Sequence, residues 1–237
     1  MKITEAVILM AGTGSRLATR GDALPKPLLQ IGGQAVFSYT IAALQQAGID
    51  LVHVVTGYNN HALVEGLTPL VPRGMTLNEV YNSDWQKQNG ISALTARPLL
   101  KSPFLLTMGD HLFDSRLADV TIRQADPDRL NVAVDRKLNA IFDLSDAMKI
   151  KSEGDKIIAI GKNLKDYDGI DTGLFVCPIE FFDYLESAKR EGDCSLADGV
   201  RLMAGDGKVR AIDIGDAWWQ DIDTPQMLAQ ARSVIEP

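Results

Sequence analysis

Cysteine, histidine and long apolar runs are all scarce in this sequence. Of its 237 residues, two are cysteines and three are histidines. Cys177 and Cys194 belong to no Cys-x-x-Cys pair or histidine cluster, which argues against a zinc site of standard spacing and against a disulfide framework. His53 and His61 show no metal-ligand spacing. No apolar run approaches the ~20 residues that cross a bilayer, and the stretch "AVILM" is too short, and too closely preceded by Glu5, for a signal segment. The expected compartment is the cytoplasm, without membrane insertion. Positive charge is also in deficit: 24 Lys and Arg against 31 Asp and Glu give a net charge of −7, which argues against a broad nucleic-acid surface. The chain does have apolar bulk, 46% of its residues, enough for one sizeable domain over 1–237.

That bulk is distributed in a pattern. "AVILM", then Phe37, Ile41 and Leu44 at helical spacing before Gly48, then "LVHVV", then "FLLTM" alternate strand-like runs with helical stripes. This βαβα order predicts a mostly parallel sheet covered by helices on both faces, with ligands at the carboxyl ends of the strands. In the second half, "AMKIKSEGDKIIAIGKNL" carries a hairpin signal, so the sheet is expected to become mixed. A strand at "IDTGLFVC", helices over about 179–189 and 195–203, a strand at "KVRAIDI" and a closing helix after Pro225 complete the pattern.

The first strand runs into "MAGTGSRL". Gly12 and Gly14 permit close backbone approach to a ligand, and Ser15 and Arg16 can donate to phosphate oxygens. A dinucleotide fingerprint needs a third glycine where Leu17 stands, and a P-loop needs a Gly-Lys-Ser/Thr that is absent. A purely structural turn remains open for the loop alone. Lys26, however, sits between Pro25 and Pro27, whose fixed φ holds it on a stiff extended segment, and with Arg16 it suggests an anion clamp.

"LMAGTGSRL" followed by "PKPLLQIGG" resembles the signature of nucleotidyltransferases that join a nucleoside triphosphate to a sugar phosphate or phosphoalcohol and release pyrophosphate. The resemblance implies a Rossmann-like three-layer α/β/α fold with a mostly parallel mixed sheet, the nucleotide-diphospho-sugar transferase fold. It implies a nucleotide-binding half over 1–130 and an acceptor-binding half over 131–237. Met10 stands where the family has Ala, at a position that acts through its backbone. By resemblance Ala11 and Gly12 meet base and ribose, Gly14, Ser15 and Arg16 cradle the triphosphate, Lys26 holds it near the α-phosphate, and Met10 and Thr13 complete the nucleotide-binding set. The chemistry suits such a set: one anionic phosphate attacks another, so charge neutralisation matters more than a general base.

Mg²⁺ is the implied cofactor. Asp110, at the end of the apolar run in "FLLTMGDHLFD", is the first candidate ligand; a strand-end Asp can equally cap a helix. "AWWQDIDTPQM" resembles the family's late Asp-x-x-Thr-Pro element, and aligning Thr-Pro favours Asp221, although alternation would point Asp223 the same way. Asp223 or Thr224 could instead cap the helix that opens at Pro225.

"QNGIS" separates nucleotide types. Asn89, Gly90 and Ser92 resemble the pattern of relatives that use CTP and small phosphoalcohols; on physical grounds alone, Asn89 as a helix N-cap is the simpler role. "VAVDRK", "KIIAIGKNL" and "GIDTGLFVC" extend the resemblance over nearly the whole chain, toward the cytidylyltransferase portion of archaeal and bacterial enzymes that make CDP-inositol. That portion is commonly fused to a membrane transferase domain. No such apolar span is present here, which leaves a stand-alone enzyme, an excised domain or a relative with another acceptor. Lys162 matches the lysine that meets the acceptor phosphate, Arg136 and Lys137 could assist, and Asp171 and Thr172 suit polyol hydroxyls or local backbone bonds.

His111 next to Asp110 is expected to play a supporting or structural part, since neighbours on an extended chain face opposite ways. Trp218 and Trp219 are expected in the core or an interface. The expected partners are CTP and a small phosphorylated alcohol or sugar, with a homodimer left open. The rival readings are a sugar-1-phosphate nucleotidyltransferase using UTP, dTTP or GTP, and a non-catalytic nucleotide-sensing subunit.

Overall fold

The structure is a computed structural model that describes residues 2–14 and 24–236. Ser15, Arg16 and Leu17 lie outside the described residues.

Strand β1 (Glu5–Leu9) sits inside the sheet, and its alternate side chains leave on opposite faces: Val7 and Leu9 enter one core cluster, Ala6 and Ile8 another. Past the glycine turn, β2 (Gln30–Ile31) and β3 (Gln34–Ala35) make a small hairpin that leads into α1 (Val36–Gln46). The predicted stripe of α1 is its core face, with Phe37, Ile41 and Leu44 fully buried. The chain continues through β4 (Leu51–Thr56), α2 (Asn60–Leu67), β5 (Thr76–Tyr81), α3 (Asn89–Ala96), β6 (Phe104–Met108) and β7 (His111–Phe113). Asp114 then caps α4 (Ser115–Gln124), accepting the Arg116 and Leu117 amides, and β8 (Leu130–Asp135) follows.

The second half opens with the predicted hairpin, β9 (Lys149–Glu153) and β10 (Lys156–Gly161), and then β11 (Gly169–Cys177) and α5 (Phe181–Ala188). Ser195 and Asp198 form a reciprocal capping box that starts α6 (Leu196–Gly205). The chain closes with β12 (Val209–Asp213), β13 (Trp219–Asp221) and α7 (Pro225–Ile235), whose first turn is capped by the Thr224 hydroxyl accepting the Met227 amide.

Among the described residues, nine strands form the main sheet in the order β5-β4-β1-β6-β11-β8-β12-β10-β9. The β5-β4-β1-β6 block and the β8–β12 pair are parallel, whereas β11 runs antiparallel between β6 and β8. This arrangement is the mixed three-layer α/β/α sandwich the pattern predicts. One core cluster takes Phe181, Phe182, Val200 and Met203 from α5 and α6, and the opposite one takes the α1 stripe and Leu117 of α4. A third, of Ile31, Val36, Leu112, Ile222 and Ala231, fastens α7 to the β2–β3 hairpin and β7. The segments carrying Asp110 and Asp223 are thereby held on apolar packing.

Candidate active site

The first cavity, of about 490 Å³, opens at the carboxyl ends of β1 and β6. Backbone bonds fix its rim: the Met10 amide donates to Val55, Tyr58 to the Ala11 carbonyl and Gly109 to Leu9. Met10, Ala11, Gly12, Thr13 and Gly14 line one wall, Lys26 another, and Asn89, Ser92 and Asp110 the side toward the second half. Gly14 has φ of 62°, and a Cβ there would come 3.0 Å from Cγ of Lys26. The lysine stem lies across that glycine.

Lys26 carries its ammonium between two carboxylates. Its Nζ is 3.0 Å from Asp110 Oδ2 and also donates to Asp223 Oδ1. The pairing follows from backbone register. The Ile222 amide donates to the Asp110 carbonyl, and β13 runs antiparallel to β7 with Asp221 opposite His111. Asp223 is thereby returned to the Asp110 side, while Asp221 lines only the second cavity. Gly109 and Asp110 form a turn rather than continuing the strand, so alternation fails there, and His111 Nδ1 reaches back to Asp110 Oδ1 at 3.0 Å.

Burial alone would raise the Asp110 carboxyl, but the bond and charge of His111, and then the Lys26 ammonium, outweigh it and hold Asp110 well below the usual carboxylate range. Burial would lower Lys26 and His111; Asp110 reverses the sign in both cases, with Asp223 adding to the effect on Lys26. Two hard oxygen donors already aimed at one cation are a donor set that suits a magnesium-type ion, which takes one or two carboxylates and completes its shell with phosphates and water. Among the described residues no cluster of three or more His, Cys, Asp or Glu forms a metal cage.

A second cavity, of about 680 Å³, adjoins the first. Lys137, Lys162, Asp171 and Asp221 line it, together with Trp218 and Trp219. Lys162 pairs with Asp146 at 2.5 Å, and Lys137 Nζ is held by the Gly215 carbonyl and Asp135. Burial pushes the Asp171 carboxyl up to about 6, against the opposing Gly173 amide bond and the His111 charge. Burial likewise raises Asp221, with His111 opposing.

Several expectations are corrected here. Arg136 does not line the cavity: its guanidinium donates to Asp168 at 2.6 Å and to Ser152 at 2.9 Å. Thr172 is buried and donates to the Ala133 carbonyl at 3.0 Å, so it serves the sheet. Asn89 is the first residue of α3 rather than its N-cap, which is Gln88, and its Oδ1 accepts the Leu196 amide at 2.9 Å. Trp219 packs against the core cluster of α1 and α4 as expected, and it also stacks on His111 at an interplanar angle of 10° and donates from Nε1 to Asp135.

Other lining residues were invisible in the sequence. Tyr58 and Trp85 make a tilted aromatic pair, with centroids 5.4 Å apart, beside the glycine wall. They stand in separate polar loops, and no spacing links them. Gly173 has φ of 74°, and a Cβ there would lie 2.6 Å from His111 Nε2, a contact only the fold creates.

A glycine turn ending a parallel strand, a lysine clamped between two aspartates and an adjoining polar cavity define a nucleotidyltransferase class of enzyme. The chain belongs to the family of the MobA-like NTP transferase domain, whose model matches residues 6–142, and the family is generally metal-dependent. It is 31% identical over 97% of its length to the "Bifunctional IPC transferase and DIPP synthase" of Rubrobacter xylanophilus and 30% identical over 97% to that of Thermococcus kodakarensis. It spans 51% and 50% of those two relatives, about half their length. Among solved structures it resembles the inositol-1-phosphate CTP transferase from T. maritima, with a TM-score of 0.87 and 25% identity, covering 99% of this chain and 95% of that one. A UDP-glucose pyrophosphorylase shares the fold at a TM-score of 0.82 and 18% identity, covering 99% of both chains. Among the described residues no helix is long and apolar enough to cross a membrane.

Proposed function

We propose that this chain is a Mg²⁺-dependent cytidylyltransferase that transfers CMP from CTP to inositol 1-phosphate, forming CDP-inositol and pyrophosphate. The carrying observation is that a glycine-walled cavity and a hydroxyl-suited polar cavity meet beside Asp110, Lys26 and Asp223. The choice of base and acceptor is supported by the near full-length likeness to the T. maritima inositol-1-phosphate CTP transferase.

In this reading an oxygen of the acceptor phosphate attacks the α-phosphorus in line. A new P–O bond forms, the α-phosphorus to bridging-oxygen bond breaks, and pyrophosphate leaves with the electron pair. The nucleophile is already ionised, so the protein's task is to orient two anions and offset their charge. Met10, Ala11, Gly12, Thr13 and Gly14 hold the nucleotide through backbone groups, Ser15 and Arg16 meet the triphosphate, and Lys26 stabilises charge at the α-phosphate. Ser92 borders the pyrimidine, whereas Gly90, expected beside it, is buried against Cys194 and lies off the first cavity. Asp110 and Asp223 would hold the metal in preference to Asp221, and the ion would supply neutralisation of phosphate charge. Lys162 with Lys137 anchors the acceptor phosphate, and Asp171 accepts bonds from ring hydroxyls.

Pyrophosphate release tests the reading: CTP, UTP, dTTP and GTP are each offered with inositol 1-phosphate, phosphocholine, 2-aminoethylphosphonate, glycerol phosphate and glucose 1-phosphate. Turnover is expected with CTP and inositol 1-phosphate above every other pair. Preference for UTP or dTTP with glucose 1-phosphate would identify a sugar-nucleotide enzyme instead, and CTP binding without turnover for any acceptor would indicate a sensing subunit.

A further inference from the structure

The segment around Asn89 is fastened to the other half of the molecule. The Gln88 amide donates to Asp193 Oδ1 at 3.0 Å, the Gly90 amide to the Cys194 carbonyl at 3.1 Å, and the Leu196 amide to Asn89 Oδ1 at 2.9 Å. Gly90 packs so closely that a Cβ would lie 2.6 Å from the Cys194 carbonyl oxygen. These bonds join the start of α3, which borders the first cavity, to the start of α6, which lines the second.

The two cavities share four lining residues: Asn89, Met108, His111 and Asp223. Any acceptor seated in the second cavity whose phosphate attacks a nucleotide in the first must pass its phosphate through that junction. Of the four, Met108 has no donor and Asp223 is an anion already engaged by Lys26; His111 gives Nδ1 to Asp110 and keeps Nε2, against which Gly173 lies, so the junction has two side-chain donors, His111 Nε2 and Asn89. Asn89 is exposed, and the Leu196 bond fixes its amide polarity. Its Oδ1 is turned to protein, which leaves Nδ2, with two N–H donors, as the end that meets a ligand.

We infer that Asn89 is a catalytic residue of the junction, donating from Nδ2 to the attacking phosphate of the acceptor rather than reading the pyrimidine base. The inference rests on the proposed transfer reaction and assigns one contact within it. The donor is neutral, so it orients the attacking phosphate without pairing with it as a salt bridge would, and it is held by both halves at once.

Asn89→Asp separates this role from scaffolding, because the carboxylate still accepts the Leu196 amide while the donor becomes an acceptor that repels phosphate. The melting temperature should stay near wild type. CTP affinity, measured by calorimetry without acceptor, should stay within about threefold, while kcat/KM for the acceptor falls about tenfold to hundredfold, the worth of a hydrogen bond to a charged group. Asn89→Ser, neutral and too short to span the junction, should show the same split and exclude a general charge effect. The inference is overturned if both variants keep wild-type acceptor kcat/KM, or if CTP affinity falls as far as acceptor kcat/KM does, which would return Asn89 to the nucleotide. If the wild type prefers another triphosphate and acceptor, the function reading fails, and the same split measured with that preferred pair still decides the role of Asn89.

Discussion

Asp110 and Asp223, 113 residues apart in sequence, share the ammonium of Lys26, while Asp221 faces His111 across the β7–β13 pairing. The sequence resemblance ranks Asp221 ahead of Asp223 as a metal ligand; the geometry favours Asp223. Three variants divide the alternatives. Asp110→Asn and Asp223→Asn should each weaken Mn²⁺ binding in the CTP complex at least about tenfold, and the first should cut kcat/KM by about a hundredfold or more. Asp221→Asn should leave Mn²⁺ affinity within about threefold and raise the acceptor KM. Electron paramagnetic resonance of Mn²⁺ reads the affinity, and an Asp221→Asn enzyme that loses metal would refute the assignment.

Lys26→Met leaves Asp110 and Asp223 facing each other with no cation between them. Removing one partner of a mostly buried pair costs on the order of 3 kcal/mol. Millimolar Mn²⁺ should therefore raise the melting temperature of nucleotide-free Lys26→Met more than that of wild type, since the ion takes the place of the ammonium. Equal shifts in the two proteins would mean the carboxylates do not form a cation site.

Asp171 offers a pH test. Its carboxyl titrates near 6 in the folded protein, above its ordinary value of 3.8, because it is buried. A raised carboxyl binds its proton more tightly when folded, so its stabilising contribution is full below about pH 4 and is lost as pH rises through 6. Asp171→Asn removes that loss. Its stability relative to wild type should grow by up to about 3 kcal/mol between pH 4 and 7, since each pH unit between the unfolded and folded titration points is worth about 1.4 kcal/mol. Urea denaturation at both pH values reads the change, and a flat difference would show that Asp171 titrates normally.

Gly173→Ala should destabilise the protein by about 1–3 kcal/mol and lower turnover, because the residue stands at φ of 74° and its new methyl would strike His111 Nε2. Thermal denaturation and CTP-dependent pyrophosphate release check both effects.

Arg136→Ala should lower stability by no more than about 1 kcal/mol, as expected for a half-exposed ion pair, and should leave the acceptor KM within about twofold. A large rise in KM would restore Arg136 to the acceptor site.

How much of this was legible in the sequence depends on the range of the interaction. Buried parallel strands read as continuous apolar runs, so "AVILM", "LVHVV" and "FLLTM" announced β1, β4 and β6 directly. The helix at Pro225 was legible because Thr-Pro carries both cap and first turn. Strands β7 and β13, three residues each, are too short to show a period, yet they decide which aspartate meets Lys26. Arg136 and Thr172 carry suitable chemistry in a suitable region, but Asp168 and the Ala133 carbonyl engage them first. Asn89 looked like a local cap, and its partner is Leu196, 107 positions away.

The amino-acid sequence by itself determined the layered α/β architecture, the glycine turn, the proline-flanked Lys26 and the strand-end Asp110, because periodicity, glycine and proline act through neighbouring residues; the Pro-Lys-Pro segment, expected to be extended, instead folds into a single 3-10 turn over Lys26–Leu28. Only the tertiary structure decided which second carboxylate faces Asp110, which cations and aromatics border the second cavity, and where Asn89 stands between the two cavities. Those outcomes depend on backbone register between distant strands, where a shift of one residue turns a side chain from one face to the other.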